Sequence, residues 1–286
     1  MPDTFTLTSN PGGRFTIVGT QLRTAVPMQA QAGTHRITVR RSNPSGFVDR
    51  DFNVTIASGG GLALTPVTNP NLAMGLLGIS DTTVQLPFLD IMKTARPWTG
   101  SLPGQFGGWG HNELAAAGAL DANGWVTFIP SAIEKVELII FADLPATTGG
   151  VAGRYRLNWQ GEGNIQLFGR ASNITSAPGT MSFDYTPGTG VVSITIWSVT
   201  NGNHIRNMTC VREDRAALLA GGQVFNPDWL ARIRGAKTIR FMDWQFTNNS
   251  PIVTVADRPR PTDYTWGRVG APIEVMVALA NELNAH

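Results

Sequence analysis

The stretch KTIRFMDWQFTNNSPIVTVADRPRP, residues 237–261, decides the fold of the C-terminal part of this chain. Residues 237–242 alternate apolar and polar side chains, which predicts a short β-strand. The loop that follows is polar and aromatic where a simple core strand would stay apolar. Ligands of parallel α/β sheets bind at the carboxyl ends of the strands, so we expect this loop to line a site. The candidate ligand-binding residues of the stretch are Asp243, Trp244, Asn248, Asn249 and Arg258.

Two predicted helices flank this strand. Asn226 as N-cap and Pro227 as the first helical residue indicate a helix that runs to residue 233. A second helix is predicted over residues 272–283, with an apolar face made of Ile273, Met276, Val277, Ala280 and Leu283. Together these elements make one and a half α/β units, and a parallel strand needs further strands beside it. We therefore expect either that the natural protein continues beyond His286, which we favour, or that the segment packs in another way.

Composition indicates a folded protein rich in strands and turns. The 286 residues are 42% hydrophobic and only 15% charged, with 32 glycines and 18 prolines, and this length suggests two domains. A net charge of +2 predicts no nucleic-acid partner. The single cysteine, Cys210, excludes an intrachain disulfide and suits a small buried side chain. No apolar run approaches the ~20 residues of a membrane span, and no N-terminal signal peptide is visible.

The N-terminal region, residues 1–57, is predicted to be a small all-β unit. Short alternating segments are separated by turns that contain glycine and proline. In the last segment Phe52, Val54 and Ile56 are expected to face a core, because they alternate with polar residues. The Ser-Gly-Gly-Gly sequence at residues 58–61 predicts a flexible linker, which marks the domain boundary.

The central part of the chain is predicted to hold a second β unit. Residues 62–112 show weak periodicity, so we expect an irregular wrapping segment with a short helix within residues 83–96. Residues 113–215 hold seven predicted strands with the spacing typical of a sandwich or jelly roll. The predicted strands are residues 125–129, 135–141, 153–160, 164–169, 179–186, 191–198 and 205–212. Residues 216–286 are then the incomplete α/β segment.

Tryptophans are the candidate sugar-binding residues of this region, because an aromatic ring can stack on the apolar face of a pyranose. Trp159 is the preferred candidate, since polar amides flank it at a strand end. Trp125 and Trp109 are further candidates, whereas Trp197 in SITIWSV is expected to fill the core. His111, a lone histidine in a glycine-rich segment, is expected to be structural.

From about residue 76 onward the chain resembles the amino-terminal part of large bacterial glycoside-hydrolase-like proteins, which join a carbohydrate-binding-like β-sandwich to a (β/α)8 barrel. The phrases that carry the resemblance are LPFLDIMKTARPW (86–98), YRLNWQGEG (155–163), HIRNMTCVRE (204–213), FNPDWLARIRGAKTIRFMDWQFTNN (225–249) and ADRPRPTDYTWG (256–267). The resemblance implies that residues 238–244 form the first barrel strand. It also implies that the carboxylate pair of a retaining glycosidase lies on later strands that this chain lacks.

Residues 1–57 resemble half of a cadherin-like or immunoglobulin-like domain without the calcium-binding acidic motifs of cadherins. A small β unit placed before a glycan-directed body also resembles the fibre or decoration proteins of tailed-bacteriophage virions. This layout implies an extracellular or virion-surface location. It implies two kinds of partner, carbohydrate and other structural subunits, and it is compatible with a homo-oligomer.

The fold class expected from these patterns is mainly β, with a small immunoglobulin-like unit, a jelly-roll-like sandwich and a partial α/β segment. The function expected is non-catalytic adhesion to glycans, or recognition of them. The sequence contains no nucleophile motif and no metal-spaced cluster, so it predicts no catalytic residues, no metal ligands and no cofactor. Two alternatives stay open: the front part of a glycoside hydrolase that continues beyond His286, and a purely structural assembly protein.

Overall fold

The computed structural model describes residues 3–25, 33–56, 72–248 and 250–286, and these residues are mainly β as expected. The chain divides into two compact units, residues 1–65 and 66–286. The predicted linker at residues 58–61 lies outside the described residues. No helix in the described ranges is both long enough and apolar enough to cross a membrane.

The described residues of the first unit form strands, apart from a 3-10 turn at Pro11–Gly13 and the connections between the strands. A sheet has the order β1-β4-β5, and a separate hairpin joins β2 to β3. The strands are β1 (Thr4–Ser9), β2 (Phe15–Val18), β3 (Gln21–Thr24), β4 (Gly33–Asn43) and β5 (Gly46–Ile56). The predicted all-β character of this region is confirmed.

The burial predicted for Phe52 is wrong. Phe52 lies opposite Ile37 in the β4–β5 ladder, yet Ile37 is 1% exposed and Phe52 is 48% exposed. Phe52 is exposed because β5 is an edge strand of the described sheet. The segment around Phe15, which packs on this sheet, contacts β1 and β4 instead. The opposite face is charged, and Arg36 and Arg40 form its exposed ion pairs with β5 aspartates.

The second unit contains the remaining strands and all the described α-helices. The strands are β6 (Ala73–Gly75), β7 (Thr99–Ser101), β8 (Gly108–Trp109), β9 (Lys135–Leu144), β10 (Gly153–Gln160), β11 (Gly163–Gly169), β12 (Ser172–Ala177), β13 (Thr180–Tyr185), β14 (Gly188–Val199), β15 (Arg206–Arg212) and β16 (Thr238–Arg240). The helices are α1 (His111–Ala116), α2 (Ala216–Ala220), α3 (Pro227–Ile233) and α4 (Ile273–Leu283). Short 3-10 turns lie at Ile91–Thr94, Glu213–Arg215 and Val255–Asp257.

Two antiparallel sheets of this unit pack face to face. One has the order β12-β13-β10-β15, and the other has the order β11-β14-β9-β7-β8. Aromatic rings join the facing sides: Phe141 of β9 stacks on Tyr185 of β13, with 4.2 Å between ring centroids. The buried apolar residues of both sheets form one cluster, here called the first core.

All six strands predicted between residues 135 and 212 are present, and the second unit differs from the prediction in three other places. Residues 125–129 form no strand, because they make only the isolated bridge between Leu120 and Val126. Strand β12 was not predicted, since all six of its residues are exposed and it carries no apolar alternation. Strands β7 and β8 come from the segment predicted to be irregular and extend the sheet beyond β9.

A second core lies around the parallel pair β6–β16. Ile239 of β16 lies opposite Met74 of β6, so the partner of this strand comes from before the sandwich. On its other side, Ile239 N donates to the His286 carbonyl at 2.7 Å. Trp244 follows β16 and is fully buried between Phe88, at 5.1 Å, and Trp229, at 5.9 Å between ring centroids. This segment therefore packs against other parts of the same chain.

The two helices predicted around β16 are present. The side chain of Asn226 accepts from the backbone N–H of Asp228 at 3.1 Å, which confirms the predicted N-cap of α3. The apolar face predicted for α4 is only partly right, because Ile273 and Val277 are about half exposed. The face that packs on the second core differs from the predicted one and consists of Val275, Met276, Leu279 and Leu283.

The chain crosses between the two cores at Asp90. Phe88 belongs to the second core and Ile91 to the first. The Asp90 carboxylate oxygen Oδ1 accepts from the backbone N–H of Met92 at 3.1 Å and from that of Cys210 at 2.9 Å. Burial raises the pKa of Asp90, although these donors and the charge of Lys93 oppose the rise. One buried acceptor therefore holds the crossing segment to β15.

Replacement of Asp90 tests this crossing. Asp90→Ala leaves two buried N–H groups without an acceptor, so we expect it to lower the free energy of unfolding by about 2–4 kcal/mol. Asp90→Asn keeps an acceptor oxygen and is the matched control, with an expected loss of less than half that amount. Urea unfolding followed by tryptophan fluorescence measures the second unit alone, since all eight tryptophans lie after residue 66. Equal losses in the two variants would contradict the assigned role of Oδ1.

Candidate functional site

The structure corrects two of the predicted ligand-binding tryptophans. Trp244 is fully buried, and its indole N–H donates to the Leu77 carbonyl at 3.1 Å. Trp125 is 2% exposed and packs edge-on against Tyr264. Neither ring offers a face on which a sugar could stack, because both faces are covered by other side chains. We therefore remove both residues from the candidate site.

The other predicted residues are dispersed over the second unit. Trp159 and Trp109 are half-buried and pack against the edge of the first core. Asn248 is exposed, and Asn249 lies outside the described residues. Arg258 is exposed and pairs with Glu274 of α4 at 2.6 Å, so its charge is used in a surface ion pair. These residues do not form one site.

Asp243 lies where the sequence placed it, at the carboxyl end of the β6–β16 pair. A cavity of about 310 Å³ opens there. Its lining consists of Gly75, Leu76, Leu77, Gln85, Arg240, Met242 and Asp243. The exposed carboxylate of Asp243 makes no hydrogen bond within the described residues, so it is available to a ligand.

The outer side of the sheet β11-β14-β9-β7-β8 is polar; Thr195 and Glu137 at its centre are buried, whereas Gln166 and Phe168 are exposed and Trp197 is partly exposed. Alternation along the strands sends Ile194 and Ile196 into the first core and the residues between them outward. Across the sheet, Gln166, Thr195 and Glu137 lie side by side. We call this surface the Trp197 face and define it by Gln166, Phe168, Thr195, Trp197, Lys135 and Glu137.

Glu137 is the centre of a hydrogen-bond network in this face. Its carboxylate accepts from Ser101 Oγ at 2.8 Å and from Thr195 Oγ1 at 3.1 Å. Lys135 Nζ lies 3.2 Å from the same carboxylate. The carboxylate is 9% exposed, so its partners hold it in one orientation.

Trp197 stands beside this network, although the sequence analysis assigned it to the core. It is partly exposed, and Lys135 Nζ lies 4.9 Å from its ring centroid. Its indole N–H is buried and has no hydrogen-bond partner in the described residues. Period-two alternation could have found this orientation, because Trp197 shares its parity with Ser193 and Thr195 rather than with the isoleucines. Strand β14 is partly exposed to solvent at Trp197, whereas it is buried at Ser193.

A smaller polar cavity of about 190 Å³ lies beside His111 and Tyr264. The two rings stack with centroids 6.0 Å apart, and Tyr264 Oη lies 3.2 Å from His111 Nδ1. Burial, together with the charge of Arg268, lowers the pKa of His111 to about 4. Burial also raises the pKa of Tyr264. The structural role expected for His111 fits a neutral ring packed against Tyr264.

Comparisons of this chain with protein-family models, with curated proteins and with solved structures return no match. Function must therefore be argued from the chemistry of the surfaces and cavities themselves. Within the described residues, no three His, Cys, Asp or Glu side chains are grouped so that they could hold a metal ion.

The depressed pKa of His111 predicts a pH dependence of stability. Between its unfolded value of about 6.5 and its folded value of about 4, the unfolded chain binds a proton that the folded protein excludes. Stability is therefore lost as pH falls through this window. His111→Gln removes this contribution, so we expect its free energy of unfolding to fall less between pH 6.5 and pH 4.5 than that of the wild type. Urea unfolding at several pH values measures the difference, and identical slopes would contradict the depressed pKa.

Proposed function

We propose that this protein recognises glycans without catalysis and that the Trp197 face is the binding surface. The observation that carries the proposal is a partly exposed tryptophan on the outer side of a sheet, beside an ordered network of hydroxyl, amine and carboxylate groups. A sugar has both kinds of surface, since its C–H groups are apolar and its hydroxyls donate and accept hydrogen bonds. The Trp197 face offers a partner for each.

The ring of Trp197 would stack on one pyranose face. Gln166 is exposed on the neighbouring strand and can both donate to and accept from a hydroxyl, whereas the ammonium group of Lys135 can only donate. The β-sheet fixes these groups before the ligand arrives, which reduces the entropy lost on binding. A shallow surface of this kind is suited to binding at about millimolar to micromolar affinity, which corresponds to roughly 4–8 kcal/mol.

Glu137 supports recognition rather than hydrolysis. A retaining glycosidase uses two carboxyl groups about 5–5.5 Å apart, one as an acid with a free proton and one as a nucleophile. Both oxygens of Glu137 already accept hydrogen bonds, and Lys135 neutralises its charge. Such a carboxylate orients its neighbours and is poorly placed to attack a sugar.

We also propose specific fold types for the parts of the two units. The two packed sheets suit the jelly-roll-like, carbohydrate-binding sandwich implied by the sequence resemblance. The first unit would be the immunoglobulin-like part that anchors the protein at a virion or cell surface through other structural subunits. The start of a (β/α)8-like barrel, and with it the glycoside-hydrolase alternative, is favoured by one observation, the parallel pairing of β16 with β6 between helices α3 and α4.

Trp197→Ala tests the proposed function. A glycan array followed by titration calorimetry with neutral tetrasaccharides (cellotetraose, xylotetraose, maltotetraose and lacto-N-tetraose) should find a ligand for the wild-type protein. The variant should lose affinity about tenfold or more, because the stacking surface is gone. Far-UV circular dichroism checks that the sheet is intact.

Trp159→Phe is the matched control, because Trp159 lies on the other sheet and was the platform preferred from the sequence. It should bind as the wild type does. If Trp159→Phe loses binding and Trp197→Ala keeps it, the site lies on the other sheet and the Trp197 face is excluded. Absence of binding to every sugar at millimolar concentration would favour the purely structural alternative.

A further inference from the structure

Two cavities of the second unit share the lining residue Gln85. The larger has a volume of about 510 Å³ and lies between the β9–β10 connection and helix α3. The smaller is the cavity of about 310 Å³ at the carboxyl ends of β6 and β16. Gln85 lines both, and we call the pair the Gln85 groove. The groove is separate from the Trp197 face, since the two share no residue.

Each half of the groove carries an arginine that lacks an acidic partner. Arg232 of α3 is exposed in the larger cavity and makes no ion pair or hydrogen bond within the described residues. Arg240 lines the smaller cavity, and its guanidinium donates only to the Met242 sulfur among the described atoms. Sulfur is a weak acceptor. Both guanidinium groups are therefore available to an oxyanion, which they can bind with two N–H groups at once.

The acidic residue nearest to Arg232 in the larger cavity is already neutralised. Asp228 pairs with Arg215, whose guanidinium also donates to Asn226. Arg215 is 6% exposed, and its Nε has no partner in the described residues. This buried cation holds the side chains of Asp228 and Asn226, which both line the cavity. The larger cavity thus has a net positive charge, supplied by Arg232.

Besides the two arginines, the groove is lined by neutral polar groups and by one carboxylate that has no ion-pair partner among the described residues. Gln85 lines both cavities, Thr147 and Thr148 line the larger cavity, and the Asp243 carboxylate lines the smaller one. Amide, hydroxyl and carboxylate groups together recognise hydroxyl groups of a ligand, whereas the guanidinium groups recognise carboxylates. The volumes lie within the range of small-molecule sites.

We propose that the Gln85 groove binds an acidic oligosaccharide, with uronate carboxylates on Arg232 and Arg240 and sugar hydroxyls on Gln85, Thr147, Thr148 and Asp243. A neutral sugar leaves both arginines without an anion. A simple anion such as phosphate uses one arginine and leaves the hydroxyl-binding groups idle. A ligand with repeated carboxylates and many hydroxyls matches both halves of the groove.

The test compares acidic oligosaccharides with their neutral forms. Trigalacturonate, trimannuronate and a hyaluronan tetrasaccharide are titrated into the whole chain, each beside its fully methyl-esterified form. At least one acid should bind, and its ester should bind about tenfold or more weakly because a charge-assisted contact is lost. Failure of all three acids at millimolar concentration, or equal affinity of acid and ester, would overturn the proposal.

Variants assign the binding to the groove. Arg232→Ala should weaken the acid about tenfold, and Gln85→Ala should also weaken it. Arg234→Ala is the matched control, because Arg234 is an exposed arginine two residues away that lines neither cavity. An equal loss of affinity in the Arg232 and Arg234 variants would show that only the net charge of the protein matters, and it would overturn the assignment to the groove.

Two further experiments distinguish this proposal from neutral-glycan recognition and from peptide binding. Trp197→Ala should leave acid binding unchanged, so failure of neutral-glycan recognition and failure of the groove are distinguishable. Triglutamate carries repeated carboxylates without sugar hydroxyls and should bind at least tenfold more weakly than the best uronate. Binding of triglutamate at equal or higher affinity would show a peptide site and overturn the assignment to sugars.

Discussion

The arrangement of the second unit depends on one buried carboxylate. Asp90 lies where the chain leaves the second core and enters the first, and its Oδ1 accepts the N–H groups of Met92 and Cys210. Removal from water disfavours its charged form, which is why its pKa is raised. The two backbone donors offset part of that cost. The crossing segment is thereby attached to β15, and neighbouring backbone bonds from Leu89 to Val224 and from Asn226 to Pro87 continue the attachment.

This crossing makes the two cores interdependent. The segment before the sandwich supplies β6 to the second core, then passes Asp90 and supplies β7 to the sheet of the first core. Neither core is therefore a continuous stretch of the chain. The parallel pairing of β6 with β16 joins residues 165 positions apart, for example Thr238 and Ala73. Contacts of such long range form late in folding because the loop-closure entropy must be lost first.

The two proposed binding surfaces follow from different physical features. The Trp197 face is the outer side of a sheet whose inner side is held by the first core, so its groups are fixed by the strand register. The Gln85 groove lies where the sheet connection meets α3 and the ends of the parallel strands. Its lining comes from parts of the chain far apart in sequence. The first surface suits a neutral stacked sugar, and the second suits a charged ligand.

The sequence by itself determined the local elements, because alternation, turn residues and helix caps act over a few residues. It located strands β9 to β11, the Asn226 cap of α3 and the position of Asp243 after a strand. Only the tertiary structure decided which strand pairs with β16, which aromatic rings are buried and which face of α4 is covered. Trp244 and Trp197 show the reason: one follows a strand and the other lies within one, yet Trp244 is buried between Phe88 and Trp229, whereas Trp197 is partly exposed on the outer side of a sheet. Their environments are made by residues far away in the chain, and no local pattern encodes these neighbours.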